Sequence, residues 1–273
     1  MMRATERVAA FRALHESGCF VIPNPWDVGG AKVLVQLGFP ALATTSSGFA
    51  WSVGRSDHHV TLEEALGHFR AVVSAVDVPV NGDFEGGFAV EPEGVAGNVA
   101  AAAETGVAGL SIEDSTRDPE RPLFDLPLAV ERIRAAREAI DASGTSVLLT
   151  GRSEGFVVGR TDLDETVRRL SAYAEAGADC LYAPGIRTRD AIAAVVAAAA
   201  PKPVNVLVGS GFVTVSELAE LGVRRISVGG ALARAAWSGF LDAAREIREQ
   251  GTFTRLGDAM PSNEIDPRFD PRR

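Results

Sequence analysis

Lysine occurs only twice in the 273 residues, at Lys32 and Lys202. The first lies within a helical stretch and the second in a turn leading into a strand, so neither stands where a substrate carbonyl would meet a Schiff-base amine. Cysteine is as scarce. Cys19 and Cys180 both sit in apolar, strand-like runs, which reads as two buried free thiols rather than a disulfide or a metal site. Of the four histidines, His15 and His68 fall in helical stretches, whereas His58 and His59 are adjacent at the end of a long polar loop that follows the second apolar run, from Ser46-Ser47-Gly48-Phe49 through His59. They read as a solvated pair, with an acid or base on a mobile loop as the sharper alternative. Basic residues are outnumbered, 27 Lys and Arg against 36 Asp and Glu, for a net charge of -9. That excludes the basic footprint that nucleic acid or an anionic membrane requires. No apolar run reaches the ~18 residues that span a bilayer. Residues 1–17 alternate Arg and Glu with apolar positions instead of forming a signal-peptide core, so a cytoplasmic protein is expected.

What the chain does contain is alternation. After an opening helix near residues 3–17, short apolar runs at residues 19–23, 41–45, 78–83, 109–113, 146–150, 180–183, 204–208 and 225–228 are each followed by a helical pattern. Glycine marks several helix-to-strand joins, at Gly38-Phe39, Gly106-Val107, Gly177-Ala178 and Gly222-Val223, where it supplies a left-handed cap. Strands apolar on consecutive residues, separated by helices, imply a parallel sheet covered on both faces. Eight such units in this length predict an α/β fold, a single (β/α)8 barrel over residues 1–250 with an added N-terminal helix. No GxGxxG follows the first strand, which counts against an open dinucleotide-binding sheet. Residues 251–273 carry Pro261, Pro267 and Pro271 among charges without periodicity and are expected to form an extended arm or a disordered tail.

In such a barrel the chemistry sits at the C-terminal strand ends. The third strand closes on Asn81-Gly-Asp83-Phe-Glu85, and a period of two would aim Asp83 and Glu85 to one side. With Asp27 after the first strand and Glu113 and Asp114 after the fourth, these acids repel unless a cation stands among them. A basic side chain such as Arg152 or Arg55 would serve, and so would a hard metal ion such as Mg2+. Thr45, Ser46, Ser47 and Gly48 end the second strand, Arg152 and Glu154 the fifth, Tyr182 the sixth, and Asn205 or Gly209 the seventh. A competing site is the glycine-lined phosphate cup suggested by Gly209-Ser-Gly211 and Gly229-Gly230.

In this order along the chain, Asn24-Pro-Trp-Asp27, Thr45-Ser-Ser-Gly48, Asp83-Phe-Glu-Gly-Gly-Phe88, Ser111-Ile-Glu-Asp114, Gly151-Arg-Ser-Glu154, Tyr173 to Asp179 and Pro203-Val-Asn205 resemble the isocitrate lyase and phosphoenolpyruvate mutase superfamily from about Phe20 to Ala236. The resemblance implies a Mg2+-dependent enzyme, with Mn2+ as an alternative ion, acting on a small anionic substrate, a 2-oxo or 2-hydroxy (di)carboxylic acid or an enolpyruvate derivative. Asp83 is similar to the direct metal ligand, with Glu85, Glu113 and Asp57 contributing through waters. The family usually has Asp where this chain has Glu85. Thr45, Ser46 and the backbone N–H groups around Ser47, Gly48 and Phe49 would bind the carboxylate or enolate oxygen, Arg152 would clamp the far side, and Asn205 would add a contact. Arg152, Ser47 and Tyr182 are the expected catalytic groups. The resemblance also implies a homo-oligomer, a dimer or a tetramer, in which the last helix is exchanged.

Departures from the family set the subtype. The Lys-(Lys or Arg)-Cys-Gly-His loop of isocitrate and methylisocitrate lyases is missing. The loop after the fourth strand, Ser115 to Pro122, lacks the Lys and Asn that phosphoenolpyruvate mutases carry there. Decarboxylation needs no strong acid to break its bond, so an oxaloacetate-decarboxylase-like or small 2-hydroxyacid lyase is the expected activity. A phosphonopyruvate-type mutase or hydrolase, with Arg117 or Arg121 replacing the Lys, is one alternative. A non-catalytic oligomeric barrel is another.

Overall fold

The computed structural model describes residues 2–270; Met1 and the last three residues of the expected arm lie outside them. Helix α1 (Ala4–Glu16) precedes β1 (Phe20–Ile22), α2 (Val28–Gln36), β2 (Leu42–Ala43), α3 (Ser46–Ser52), α4 (Leu62–Ala75), β3 (Val80–Asp83), α5 (Pro92–Ala103), β4 (Gly109–Glu113) and α6 (Leu126–Ser143). Then follow β5 (Leu148–Arg152), α7 (Leu163–Glu175), β6 (Cys180–Tyr182), α8 (Arg189–Ala199), β7 (Val204–Leu207), α9 (Val215–Glu220), β8 (Arg225–Ser227) and α10 (Ala231–Gln250). The eight strands are parallel in the order β1-β8-β7-β6-β5-β4-β3-β2. The remaining seam is joined where Ala43 N donates to Pro23 O at 3.1 Å. This is the (β/α)8 barrel that the alternation predicts.

Alternate strand residues face the barrel interior, so its contents come in layers. Phe11 of α1 is fully buried at the lower end and meets His15 edge-on, with ring centroids 4.7 Å apart. Gly109 is required there: a Cβ would come within 2.6 Å of both Phe11 and Asn81 Oδ1. Above this plug lie Asn81, Thr150, Cys180, Asn205 and Arg225, and two residues further along the same strands come Asp83, Arg152, Tyr182, Leu207 and Ser227. The lower of these layers is unusually polar for a barrel core, which is ordinarily filled by branched aliphatics.

Two local expectations are corrected. Residues 46–52 form α3 rather than loop, because Thr45 caps that helix by accepting from Gly48 N. Asp27 is not a rim acid; its Oδ1 accepts from Gly30 N at 2.6 Å and caps α2. Past Gly251, which ends α10 in a left-handed conformation, the chain forms two short helical turns, α11 (Thr254–Gly257) and α12 (Ser262–Ile265). Gln36 Nε2 donates to Arg268 O at 2.5 Å, returning this segment to α2. Among the described residues no helix is long and apolar enough to cross a membrane.

Candidate active site

A cavity of about 230 Å3 opens at the C-terminal end of the strands, lined among others by Ser46, Asp83, Arg152, Tyr182, Asn205 and Arg225. Its upper wall is organised by Arg152, whose side chain is mostly buried. Nε donates to Glu154, and Nη1 lies 3.4 Å from Asp83 Oδ1 and 3.3 Å from Glu113 Oε2. The guanidinium carbon stands 5.2 Å from the Tyr182 ring centroid. These pairings fall on Nε and Nη1, so Nη2 is the nitrogen available to a bound anion. Glu154, which the expected site set omits, is 4 % exposed and lines the same cavity. An acid two residues after a strand-end arginine is the signal that marks it.

Asp83 ends β3, and its Oδ2 accepts from Ser46 N at 3.0 Å and Ser46 Oγ at 2.9 Å. Glu85 does not continue the strand. It has φ +48° and is 1 % exposed, so the period-two argument that paired it with Asp83 fails after Asp83. Instead Arg117 Nη2 donates to Glu85 Oε2, with His58 Nδ1 at 3.4 Å from the same oxygen. His58 and Arg117 also have positive φ. Three non-glycine residues in the left-handed region, from three loops, thus meet at one carboxylate, a strained arrangement typical of functional sites. His58 is therefore part of the site's edge, while His59 bonds within its own loop. Arg121 is 87 % exposed at its side chain and pairs with Asp118, and Arg55 pairs with Glu64; neither reaches the acids.

The acids carry more negative charge than these cations balance. Burial pushes the Glu113 carboxyl up to about 8, against the opposing pull of Arg152 and with Glu154 and Asp83 adding to it. Burial likewise raises Glu154 and Asp57, and it pushes the Tyr182 phenol up to about 12. The bond to Glu85 raises His58. Among the described residues, no three His, Cys, Asp or Glu side chains converge as a ready-made ligand cluster. The oxygen inventory nevertheless suits a hard cation: Oε1 of Glu85 and Oε1 of Glu113 are buried with no hydrogen-bond partner, and orphaned carboxylate oxygens call for a proton, a water or a metal.

The other expected contacts divide. Ser46, Ser47, Thr45 and Asp57 line the cavity. Gly48 N is already bound to Thr45 Oγ1 and Phe49 N to Thr45 O, so neither amide is open to an oxyanion as expected. The Phe49 ring stacks on His68 at 4.1 Å. Asn205 sits deeper, bonded to Ser227 Oγ and Arg225 Nε. Asp114 turns away from the cavity: Oδ1 accepts from Glu154 N at 2.7 Å and Oδ2 from Tyr173 Oη at 2.6 Å, with Arg169 at 3.3 Å. It fixes the loop that carries Glu154. The candidate phosphate cup is filled from within, because Val228 N and Gly229 N both donate to Asn24 Oδ1 at 2.9 Å.

A barrel with buried acids, an arginine and an open cavity at its strand ends has the layout of a barrel enzyme, whose chemistry sits at that end. A family model described as phosphoenolpyruvate phosphomutase matches residues 11–248, and the chain belongs to that family, within the isocitrate lyase and phosphoenolpyruvate mutase superfamily. It is similar to the crystal structure of a candidate lyase/mutase from Burkholderia cenocepacia J2315, with 48% identity, a TM-score of 0.95 and 97% of each chain covered. An uncharacterized protein of Mycobacterium tuberculosis is 32% identical over 95% of this chain and 96% of its own. An oxaloacetate decarboxylase of Bradyrhizobium sp. (strain ORS 278) is 28% identical over 96% of this chain and 92% of its own.

Proposed function

We propose that this protein is a divalent-metal-dependent lyase that cleaves a carbon–carbon bond of a small 2-oxo or 2-hydroxy acid through a pyruvate-like enolate, with decarboxylation of an oxaloacetate-like acid as the simplest case. The observation that carries this reading is the pair of buried, partnerless oxygens on Glu85 and Glu113 beside Asp83 and Arg152. Asp83, Glu85, Glu113 and Asp57 would hold Mg2+, or Mn2+ in its place, which supplies Lewis acidity to the charge that develops on the 2-oxo oxygen. Arg152 binds the substrate carboxylate through the nitrogen its acids leave free. Ser46 and Arg152 fix Asp83 from opposite sides. Ser47 and Tyr182 each offer a hydroxyl at the cavity wall. The relative named as an oxaloacetate decarboxylase supports the reaction class.

A phosphonate-type reaction has less support. Arg117, the residue available to replace the missing Lys, is tied to Glu85, and Asn24 fills the amide pair that would cradle a phosphate. The protein assembles as a homo-oligomer in this reading, since Trp237, Phe240, Leu241 and Ile247 of α10 are exposed in the single chain; light scattering measures this. The function itself is tested by calorimetry with oxalate, a mimic of the pyruvate enolate. Binding that requires Mg2+ and disappears in Asp83→Ala is expected. Absence of Mg2+-dependent binding to the unaltered protein sinks the proposal.

A further inference from the structure

Arg225 lies at the floor of the same cavity and is 3 % exposed. Its contacts are all neutral. Nε donates to Asn205 Oδ1 at 2.9 Å, Nη2 donates to Thr150 Oγ1 at 3.0 Å, and Nη1 lies 3.4 Å from His15 Nε2. His15 Nδ1 is 2.7 Å from Phe11 O, an acceptor, so Nδ1 carries the proton and Nε2 offers its lone pair to the arginine. Burial and the Arg225 charge push His15 down to about 3, which keeps the ring neutral. No carboxylate among the described residues pairs with Arg225. A guanidinium has five N–H groups, and these three contacts occupy three of them.

A buried cation with only neutral partners is costly, and proteins ordinarily neutralise such a charge. Here the missing anion has a route in, because the cavity runs from the acid rim to this residue. Thr150, which Arg225 touches, lies two residues below Arg152 on β5, a drop of about 6.6 Å at ~3.3 Å per residue. That spacing suits the two ends of one short-chain diacid. The wall between is partly apolar, with Ile22 and Leu207, which suits a methylene chain, and Arg225 is the cation that the lower part of the cavity offers a second carboxylate.

We infer that Arg225 is a specificity-determining residue, which receives the far carboxylate of a short 2-oxo dicarboxylic acid whose 2-oxo end is held at the Asp83 and Arg152 rim. This rests on the proposed function for the rim and adds the residue that would read the substrate's far end. The test is calorimetry in Mg2+ with oxalate, which engages the rim alone, and with 2-oxoglutarate against 2-oxopentanoate, a pair of equal chain length that differs only in the far carboxylate. The unaltered protein should prefer the diacid at least tenfold. Arg225→Met should erase that preference while the oxalate Kd changes less than twofold. Arg225→Lys, which keeps the charge but loses the fork, should fall between them, and it carries the test if the Met variant does not fold. No preference in the unaltered protein, oxalate weakened as much as the diacid in the Met variant, or a Lys variant with undiminished preference would each overturn the inference. Failure of oxalate to bind the unaltered protein would instead count against the rim reading.

Discussion

The rim and the floor of one cavity solve the problem of buried charge in opposite ways. At the rim, Arg152 is surrounded by Asp83, Glu113 and Glu154, and acid remains in excess. Two residues lower, Arg225 has amide, hydroxyl and imidazole partners and, among the described residues, no acid. The rim is short of cation and the floor is short of anion. A site so divided complements a ligand that brings a divalent metal to one end and a carboxylate to the other, and neither half is electrostatically complete without it.

The largest effect expected from breaking this contrast is at Arg152. Arg152→Ala would leave Glu154 buried without its principal counter-charge, and removal of one partner from a buried pair costs about 3–5 kcal/mol. Urea denaturation at neutral pH should show that loss, and it should shrink as the acids are protonated at lower pH. A loss below about 1 kcal/mol would mean that the rim acids are already neutral by another means.

Next in size is the floor's dependence on a neutral His15. Its folded pKa is about 3, against ~6.5 in an unfolded chain. The unfolded state therefore binds more protons between these values, so stability is full above about pH 6.5 and declines as pH falls toward 3. At pH 5 the decline is about 2 kcal/mol. The change in urea midpoint between pH 7 and pH 5 should be correspondingly smaller in His15→Gln, and equal changes in the two proteins would show that burial and Arg225 do not hold His15 neutral as described.

A smaller loss, about 1.5 kcal/mol for one hydrogen bond to a charged group, is expected for Tyr173→Phe. Asp114 keeps Arg169 and the Glu154 amide, so the rim loop stays in place with looser support. Thermal unfolding gives the stability change, and oxalate affinity should weaken only a few-fold. A collapse of binding would assign Asp114 a more direct part in the site.

Much of the fold was legible because it is written locally. The strand-helix alternation and the glycine joins involve residues close in sequence, and the barrel follows from them. Asp83 and Arg152 were legible for the same reason, as polar residues that end apolar strands. Glu85 was found with the wrong geometry. Periodicity holds only while the backbone stays extended, and its partner Arg117 lies 32 residues away. Residues 46–52 were read as loop because Ser-Ser-Gly suggests a turn, although Thr45 gave a capping signal. Arg225 was placed in the last strand but not in the site. A charged residue opening an otherwise apolar strand was the available signal, and only the assembled barrel shows that α1, β5 and β7 meet it with neutral groups.

The sharpest test of the contrast has the smallest expected effect on stability. Asn205→Asp places a carboxylate of nearly the same shape against Arg225 Nε, supplying from the protein the anion that the floor lacks. The arginine is already desolvated, so the new cost is that of the carboxylate alone, and Ser227 Oγ, 2.9 Å from Asn205 Nδ2, can reverse its role and donate to it. The net change should be a gain or loss within about 1 kcal/mol, read from the urea midpoint. Binding should respond far more. With the floor neutralised, the preference for 2-oxoglutarate over 2-oxopentanoate should vanish, while Mg2+-dependent oxalate binding persists. If the Asp variant loses several kcal/mol, or still selects the diacid, then Arg225 is not an uncompensated charge and the rim and floor are not the complementary halves described.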